Sequence, residues 1–175
     1  MVHFYIGDGK GKTTAALGLA LRLAGFNKKA YIGQFLKDVK RVSGEIEFVK
    51  RVKTSVVIER FRGQIHPMFL KKGEKADAKK LKESIRKALL KIEGYINQKK
   101  FDLIVLDEIL NAVGLRACPK AVLKRIIKKG ASIEIILTGR RAPSDLIKLA
   151  DYVSLIKKVK HPFDKGICAR RGIEY

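Results

Sequence analysis

Scarcity narrows this sequence before any motif does. Acidic residues are few: 17 Asp plus Glu stand against 39 Lys plus Arg, a formal charge of +22. Cysteine occurs twice, at Cys118 and Cys168, with no CxxC pair and no histidine nearby. Neither a disulfide framework nor a thiolate metal site is expected, and both are read as reduced thiols. No apolar run approaches the roughly 20 residues of a membrane-spanning helix, so no membrane partner is expected. Met1 to Ile6 lead straight into a glycine loop, without the charged-then-apolar order of a secretion signal, and a cytoplasmic location follows as the expectation. Aromatic residues are sparse among the lysines and tryptophan is absent. A platform for stacking single-stranded nucleic acid is therefore not in view.

What is present fits one domain over residues 1–175, a length typical of a single core. Apolar runs rich in β-formers occur at residues 2–6, 30–35, 55–58, 101–106, 132–137 and 152–156. Between them lie helical patterns: a nearly all-apolar one after the first run, closed by Gly25 as a left-handed cap, and one at residues 120–129. Leu81, Ile85, Leu89, Ile92 and Ile96 recur at three- and four-residue steps, which marks an amphipathic helix. Ser144 is placed to cap a further short helix. Strands apolar throughout, alternating with helices, predict an α/β protein with a mainly parallel central sheet covered on both faces. Residues 37–53 and 60–77, rich in charge and glycine, read as long loops. No repeat or low-complexity segment interrupts the pattern.

The chemistry concentrates after the first strand, where the chain reads Gly7-Asp8-Gly9-Lys10-Gly11-Lys12-Thr13-Thr14. Glycines let backbone N–H groups converge on an anion, and the following helix adds unsatisfied amides and the positive end of its dipole. Lys12 supplies a mobile charge for phosphates and the Thr13 hydroxyl is placed to ligate magnesium. This is a P-loop, in a variant form: the general pattern puts its first glycine where Ile6 stands, one step before Gly7. Asp107 and Glu108 end the apolar run 101–106. Carboxylates at a buried strand end are costly without a cation, so both are candidate partners, with Thr13, of a magnesium ion or of manganese in its place. Either could instead cap the helix that follows.

Six segments, in order and spacing, resemble the corrinoid adenosyltransferases, the ATP:cob(I)alamin and cob(I)yrinic acid a,c-diamide enzymes. They are GDGKGKTT at 7–14, QFLK at 34–37, VLDE at 105–108, TGR at 138–140, LAD at 149–151 and VKHPFDKGICARRGIEY at 159–175. The resemblance implies a three-layer, RecA-like P-loop fold that moves the 5′-deoxyadenosyl group of ATP to Co(I) of a corrinoid, releasing triphosphate. Co(I) is itself the nucleophile, so no acid or base is implied, and Lys12 is expected to stabilise the leaving group. ATP is expected on Gly7, Asp8, Gly9, Lys10, Gly11, Lys12, Thr13 and Thr14, with Arg140 as a second clamp. Relatives commonly have Asn in place of Asp8, whose carboxylate is therefore expected to be paired, with Lys10. They usually face the corrin with a tryptophan, for which Phe69, beside His66, is the expected replacement. His161 and Asp164 could contact nucleotide or fix the last segment. A flavoprotein reductant and a homodimer are also implied.

The competing reading is a nucleic-acid-dependent P-loop ATPase or binding protein, which a charge of +22 would serve. Most of the lysines lie in helical stretches and read as solvated faces, so nucleic acid is not the expected partner. A small-molecule kinase is a weaker alternative, because no base is evident near the loop.

Overall fold

Every strand that the apolar runs predict is present, and all of them point the same way. The computed structural model describes residues 1–40, 42–64 and 77–175. Its strands are β1 (Val2–Ile6), β2 (Ala30–Gln34), β3 (Val56–Arg60), β4 (Leu103–Asp107), β5 (Glu134–Gly139) and β6 (Tyr152–Leu155). They form one sheet in the order β3-β2-β4-β5-β1-β6, with every neighbouring pair parallel. The helices are α1 (Lys12–Ala24), α2 (Gly44–Arg51), α3 (Ala78–Asn97), α4 (Ile109–Gly114), α5 (Lys120–Lys129) and α6 (Ser144–Ile147), with a 3-10 turn at Pro162–Lys165.

Alternation along the strands divides the core in two. On one face Ala30, Ile32, Leu103, Val105 and Ile136 meet Ala16 and Ala20 of α1, whose small side chains let the helix lie close to the sheet. On the other face Tyr31, Ile104, Leu106, Ile135 and Leu137 meet the apolar sides of α3, α4 and α5. The result is the expected three-layer α/β architecture. Leu81, Ile85, Leu89, Ile92 and Ile96 are the buried stripe of α3. Asp77 caps that helix by accepting from the Lys80 amide at 2.9 Å. Each fully buried Leu or Ile contributes about 1.5–3 kcal/mol relative to exposure, and β4 is buried at all five positions.

Local expectations fail where packing does not carry the signal. Residues 37–53 are not one long loop, since α2 forms within them. It has no buried residue, so it shows no apolar stripe, but Glu45 and Glu47 in its first turn and Lys50 and Arg51 in its last match the helix dipole. Gly25 stays right-handed, with φ −60°, and the left-handed residue is Asn27, with φ 58°. Ser144 is the first residue of α6, whose N-cap is Pro143.

Parallel strands deliver their carboxyl ends to one edge, where open α/β sheets bind ligands. Pairing aligns Gln34 with Asp107 and Tyr5 with Thr138. The glycine loop after β1, the acidic pair after β4, the TGR stretch after β5 and the QFLK stretch after β2 therefore converge.

Candidate active site

The loop is held from below by backbone. Gly7 turns with φ +121°, and a Cβ there would lie 2.2 Å from the Ile156 carbonyl oxygen. Its N–H donates to the Arg140 carbonyl at 3.0 Å, and the Gly9 N–H donates to the Ile156 carbonyl at 2.8 Å. Glycine is thus required at position 7, where the chain passes beneath the end of β6, and Ile6 remains an ordinary strand residue. Gly11, with φ +123°, releases the chain into α1.

Lys12 reaches back across the loop, donating to the carbonyls of Gly7 and Gly9, each at 2.7 Å. Burial pulls its pKa below the usual lysine value. A polyphosphate in the loop would replace these carbonyls as its partner. The Thr13 hydroxyl donates to the Asp107 carboxylate, 3.0 Å from Oδ1 and 3.1 Å from Oδ2. A hydroxyl and a carboxylate brought together at the mouth of a phosphate loop are oxygen donors of the kind that would hold a divalent cation such as magnesium. Among the described residues no group of three His, Cys, Asp or Glu side chains could hold a metal ion. The donor set suits an ion that keeps water and phosphate ligands rather than a caged one.

Asp107 is fully buried and well supplied with donors. Besides Thr13, the Thr138 hydroxyl donates to it at 2.7 Å and the Lys37 ammonium at 2.7 Å. Thr138 in turn accepts from the Glu108 amide at 2.8 Å, which couples β5 to the acidic pair. Glu108 occupies the N-cap of α4 in a left-handed conformation, φ 65°, without a capping hydrogen bond from its side chain. That side chain accepts from Asn111 Nδ2. Burial, and secondarily the charge of Asp107, raises the pKa of Glu108 above the ordinary glutamate value.

Lys10 to Thr14, Lys37, Glu45 and Glu108 line a cleft of about 440 Å³, closed on its outer side by residues 172–175. Lys10 pairs with Glu174 at 3.0 Å, not with Asp8. Asp8 faces the other way: the Lys158 amide donates to it at 3.1 Å and holds its carboxyl below the usual carboxylate range. Its negative charge is thereby committed to the terminal segment. Arg140 contributes backbone, its amide donating to Asn111 Oδ1 at 2.8 Å, and its guanidinium does not line the cleft. Its positive charge still acts on Lys12 and Glu108. His161 Nδ1 accepts from the Phe163 amide at 3.1 Å, and Asp164 pairs with Lys158 at 2.9 Å, so both fix the last segment. His66 and Phe69 lie outside the described residues. A larger hollow of about 710 Å³ opens between α4, α5 and residues 141–143. The Cys118 thiol there is pushed up to about 12 by burial, which leaves it inert.

The residues that sequence reasoning missed are Lys37, Thr138 and the closing stretch 172–175. The first two stand inside the QFLK and TGR segments, and the third ends the longest matching segment, so each is visible in the sequence only as part of a string without a role.

A model of the family described as "ATP:corrinoid adenosyltransferase BtuR/CobO/CobP" matches residues 1–175. The corrinoid adenosyltransferase of Escherichia coli K12 is 30% identical over 178 residues, covering 100% of this chain and 85% of that protein. The corrinoid adenosyltransferase of a Sinorhizobium species is 31% identical over 175 residues, covering 97% and 77%. Among solved structures, a KaiC-like protein from Pyrococcus horikoshii OT3 superposes with a TM-score of 0.54 at 15% identity, covering 91% of this chain and 74% of that one. At that identity the likeness bears on the fold alone, a RecA-like P-loop architecture.

Proposed function

The chain belongs to the family of ATP:corrinoid adenosyltransferases, and from that premise we propose how its residues divide the work. The reaction joins C5′ of ATP to Co(I) of a corrinoid. The cobalt supplies the electron pair of the new bond, the C5′–O5′ bond breaks, and its electrons leave with triphosphate. No proton moves, which suits a cleft whose carboxylates are engaged with donors rather than poised as bases. The protein's part is to align two substrates and to stabilise charge on the leaving oxygens.

In this reading residues 7–14 hold the polyphosphate through loop amides, with Lys10 and Lys12 countering its charge and Arg140 adding to the field. Thr13, Asp107 and Glu108 hold magnesium, which supplies Lewis-acid stabilisation of the triphosphate when bound. The observation that carries this is the 3.0 Å approach of Thr13 Oγ1 to Asp107 at the mouth of α1. Residues 1–175 act as one domain. The corrin contacts assigned to His66 and Phe69, a flavoprotein reductant and a cytoplasmic site of action belong to the same proposal. Among the described residues no helix is long and apolar enough to cross a membrane. A homodimer is also part of it. The apolar side chains Val153 and Leu155 on the open edge of β6 are 46% and 57% exposed. Sedimentation of the pure protein at the 19.6 kDa of one chain would remove the dimer.

Incubation with MgATP and chemically reduced cobalamin is expected to yield adenosylcobalamin and triphosphate in equal amounts. ADP and orthophosphate as the products would overturn the assignment.

A further inference from the structure

The QFLK segment places a cation where no loop motif asks for one. After β2 the Phe35 amide donates to the Asp107 carbonyl at 2.9 Å, binding the two strand ends together. Leu36 then adopts a left-handed conformation, φ 56°, uncommon for a residue with a branched side chain. It is held there by burial and by its amide's bond to Gln64 Oε1 at 3.3 Å. Buried Gln34 anchors the stretch by donating to Glu45 at 2.9 Å and accepting from Arg60 at 2.7 Å. This bend is what delivers the Lys37 ammonium to Asp107 Oδ2 at 2.7 Å. Glu45 and Glu108 also feel its charge.

A divalent ion sharing Thr13 Oγ1 and the Asp107 carboxylate needs the lone pairs that Thr13 and Lys37 now use. The Thr13 proton can rotate away while its oxygen stays, but an ammonium has no lone pair to offer a metal. Lys37 and the ion therefore compete for one edge of Asp107. Removing the ammonium with nothing in its place would leave a buried carboxylate without its counter-ion. Lys37 also lines the cleft that faces the glycine loop, so its released side chain has an anion to turn to.

We propose that Lys37 is a positioning residue that holds the cation place on Asp107 until a divalent ion takes it, and then turns toward the polyphosphate. Exchange of one monovalent for one divalent charge would couple metal arrival to completion of the cationic lining around the triphosphate. The inference rests on the magnesium reading above. A fixed structural counter-ion would make the opposite prediction, that losing Lys37 damages the metal site.

The test is a titration of the nucleotide-free, full-length protein with Mn2+, following free Mn2+ by electron paramagnetic resonance. Lys37→Met keeps length and removes charge, and Lys37→Arg keeps charge. Lys37→Met is expected to bind Mn2+ about tenfold tighter than wild type, the scale of one charge-assisted hydrogen bond removed from competition. Lys37→Arg should show no tightening. If Lys37→Met does not fold, the wild type still decides: acetylation of Lys37 by acetic anhydride, read by mass spectrometry, should rise several-fold at saturating Mn2+. Binding by wild type with no tightening in a folded Lys37→Met, or with Lys37 acetylation unchanged by the metal, overturns this inference alone. Absence of Mn2+ binding from wild type and variants overturns the magnesium reading and this inference with it.

Discussion

The cleft has two walls, built by different physics. The inner wall is Lys12, Thr13, Asp107 and Thr138, carried on the ends of the buried strands β4 and β5 and on the first turn of α1, which packs on the sheet through Ala16 and Ala20. Its hydrogen bonds join parts of the chain up to 94 residues apart, Thr13 to Asp107 among them. The outer wall is residues 172–175, a turn held by Gly172 N–H to the Tyr175 carbonyl at 2.7 Å and by Glu174. Glu174 takes the Arg170 guanidinium at 3.2 Å and the Lys10 ammonium at 3.0 Å. The inner wall cannot shift without disturbing the core. The outer wall is attached by ion pairs that water and salt can replace. A cleft built this way has a fixed floor and a side that yields.

The sharpest way to break that comparison is to remove one group from the inner wall. Lys12→Ala is expected to lower adenosyl transfer by on the order of 10²–10³-fold, the loss seen when one preorganised charge stabiliser is removed from a transition state. Because Lys12 is replaced on the cleft side, the fold should persist and the circular dichroism should match wild type. A variant retaining more than a tenth of the rate would show that the floor is not where charge is stabilised. Next in size is Gly7→Ala. Its Cβ meets the Ile156 carbonyl at 2.2 Å and φ is +121°, and withdrawal of either backbone would break hydrogen bonds, Ile156 N–H to the Ile6 carbonyl at 2.8 Å and Gly7 N–H to the Arg140 carbonyl at 3.0 Å. Overpacking and backbone strain together cost about 3 kcal/mol. That is a fall in melting temperature of about 6–12 °C for a domain of this size. An unchanged melting temperature would mean that the loop is free of β6 and that the inner wall is less rigid than its hydrogen bonds suggest.

How much of each wall the sequence revealed follows the same division. The strands, α1 and α3 were legible because burial writes itself as periodicity, as in the stripe from Leu81 to Ile96. The meeting of Asp107 and Thr13 was legible because a strand end and a helix start come together at the carboxyl edge of a parallel sheet. The helix α2 was not, since none of its residues is buried and its charges read as loop. Local spacing points Asp8 to Lys10, two residues away. The fold instead brings in the Lys158 amide from 150 residues away. Lys37 was hidden for another reason. Its approach to Asp107 depends on a left-handed Leu36, and no propensity announces that conformation in a leucine. The tail could be read only as a string shared with a family, because exposed ion pairs leave no pattern in composition or period.

The smallest expected effect tests the outer wall through Glu174. Its carboxyl is pushed down to about 2, chiefly by the Arg170 guanidinium, then by the Arg170 amide and Lys10. A carboxylate held below its unfolded value contributes stability in full above about 4.3, the ordinary glutamate pKa, and loses it as pH falls toward the folded value. Between those limits the tail should detach. Amide NMR signals of residues 170–175 are expected to shift together across that window, while those of residues 9–14 hold until the whole protein unfolds. Glu174→Gln reproduces the protonated state at neutral pH. It should raise the KM for ATP by no more than about fivefold with kcat little changed, the scale of an exposed ion pair. In about 1 M salt, where the Debye length is near 3 Å, the difference from wild type should close. If Glu174→Gln instead costs as much turnover as Lys12→Ala, and salt does not erase the loss, the two walls are one rigid structure. The tail would then share the work assigned to the loop.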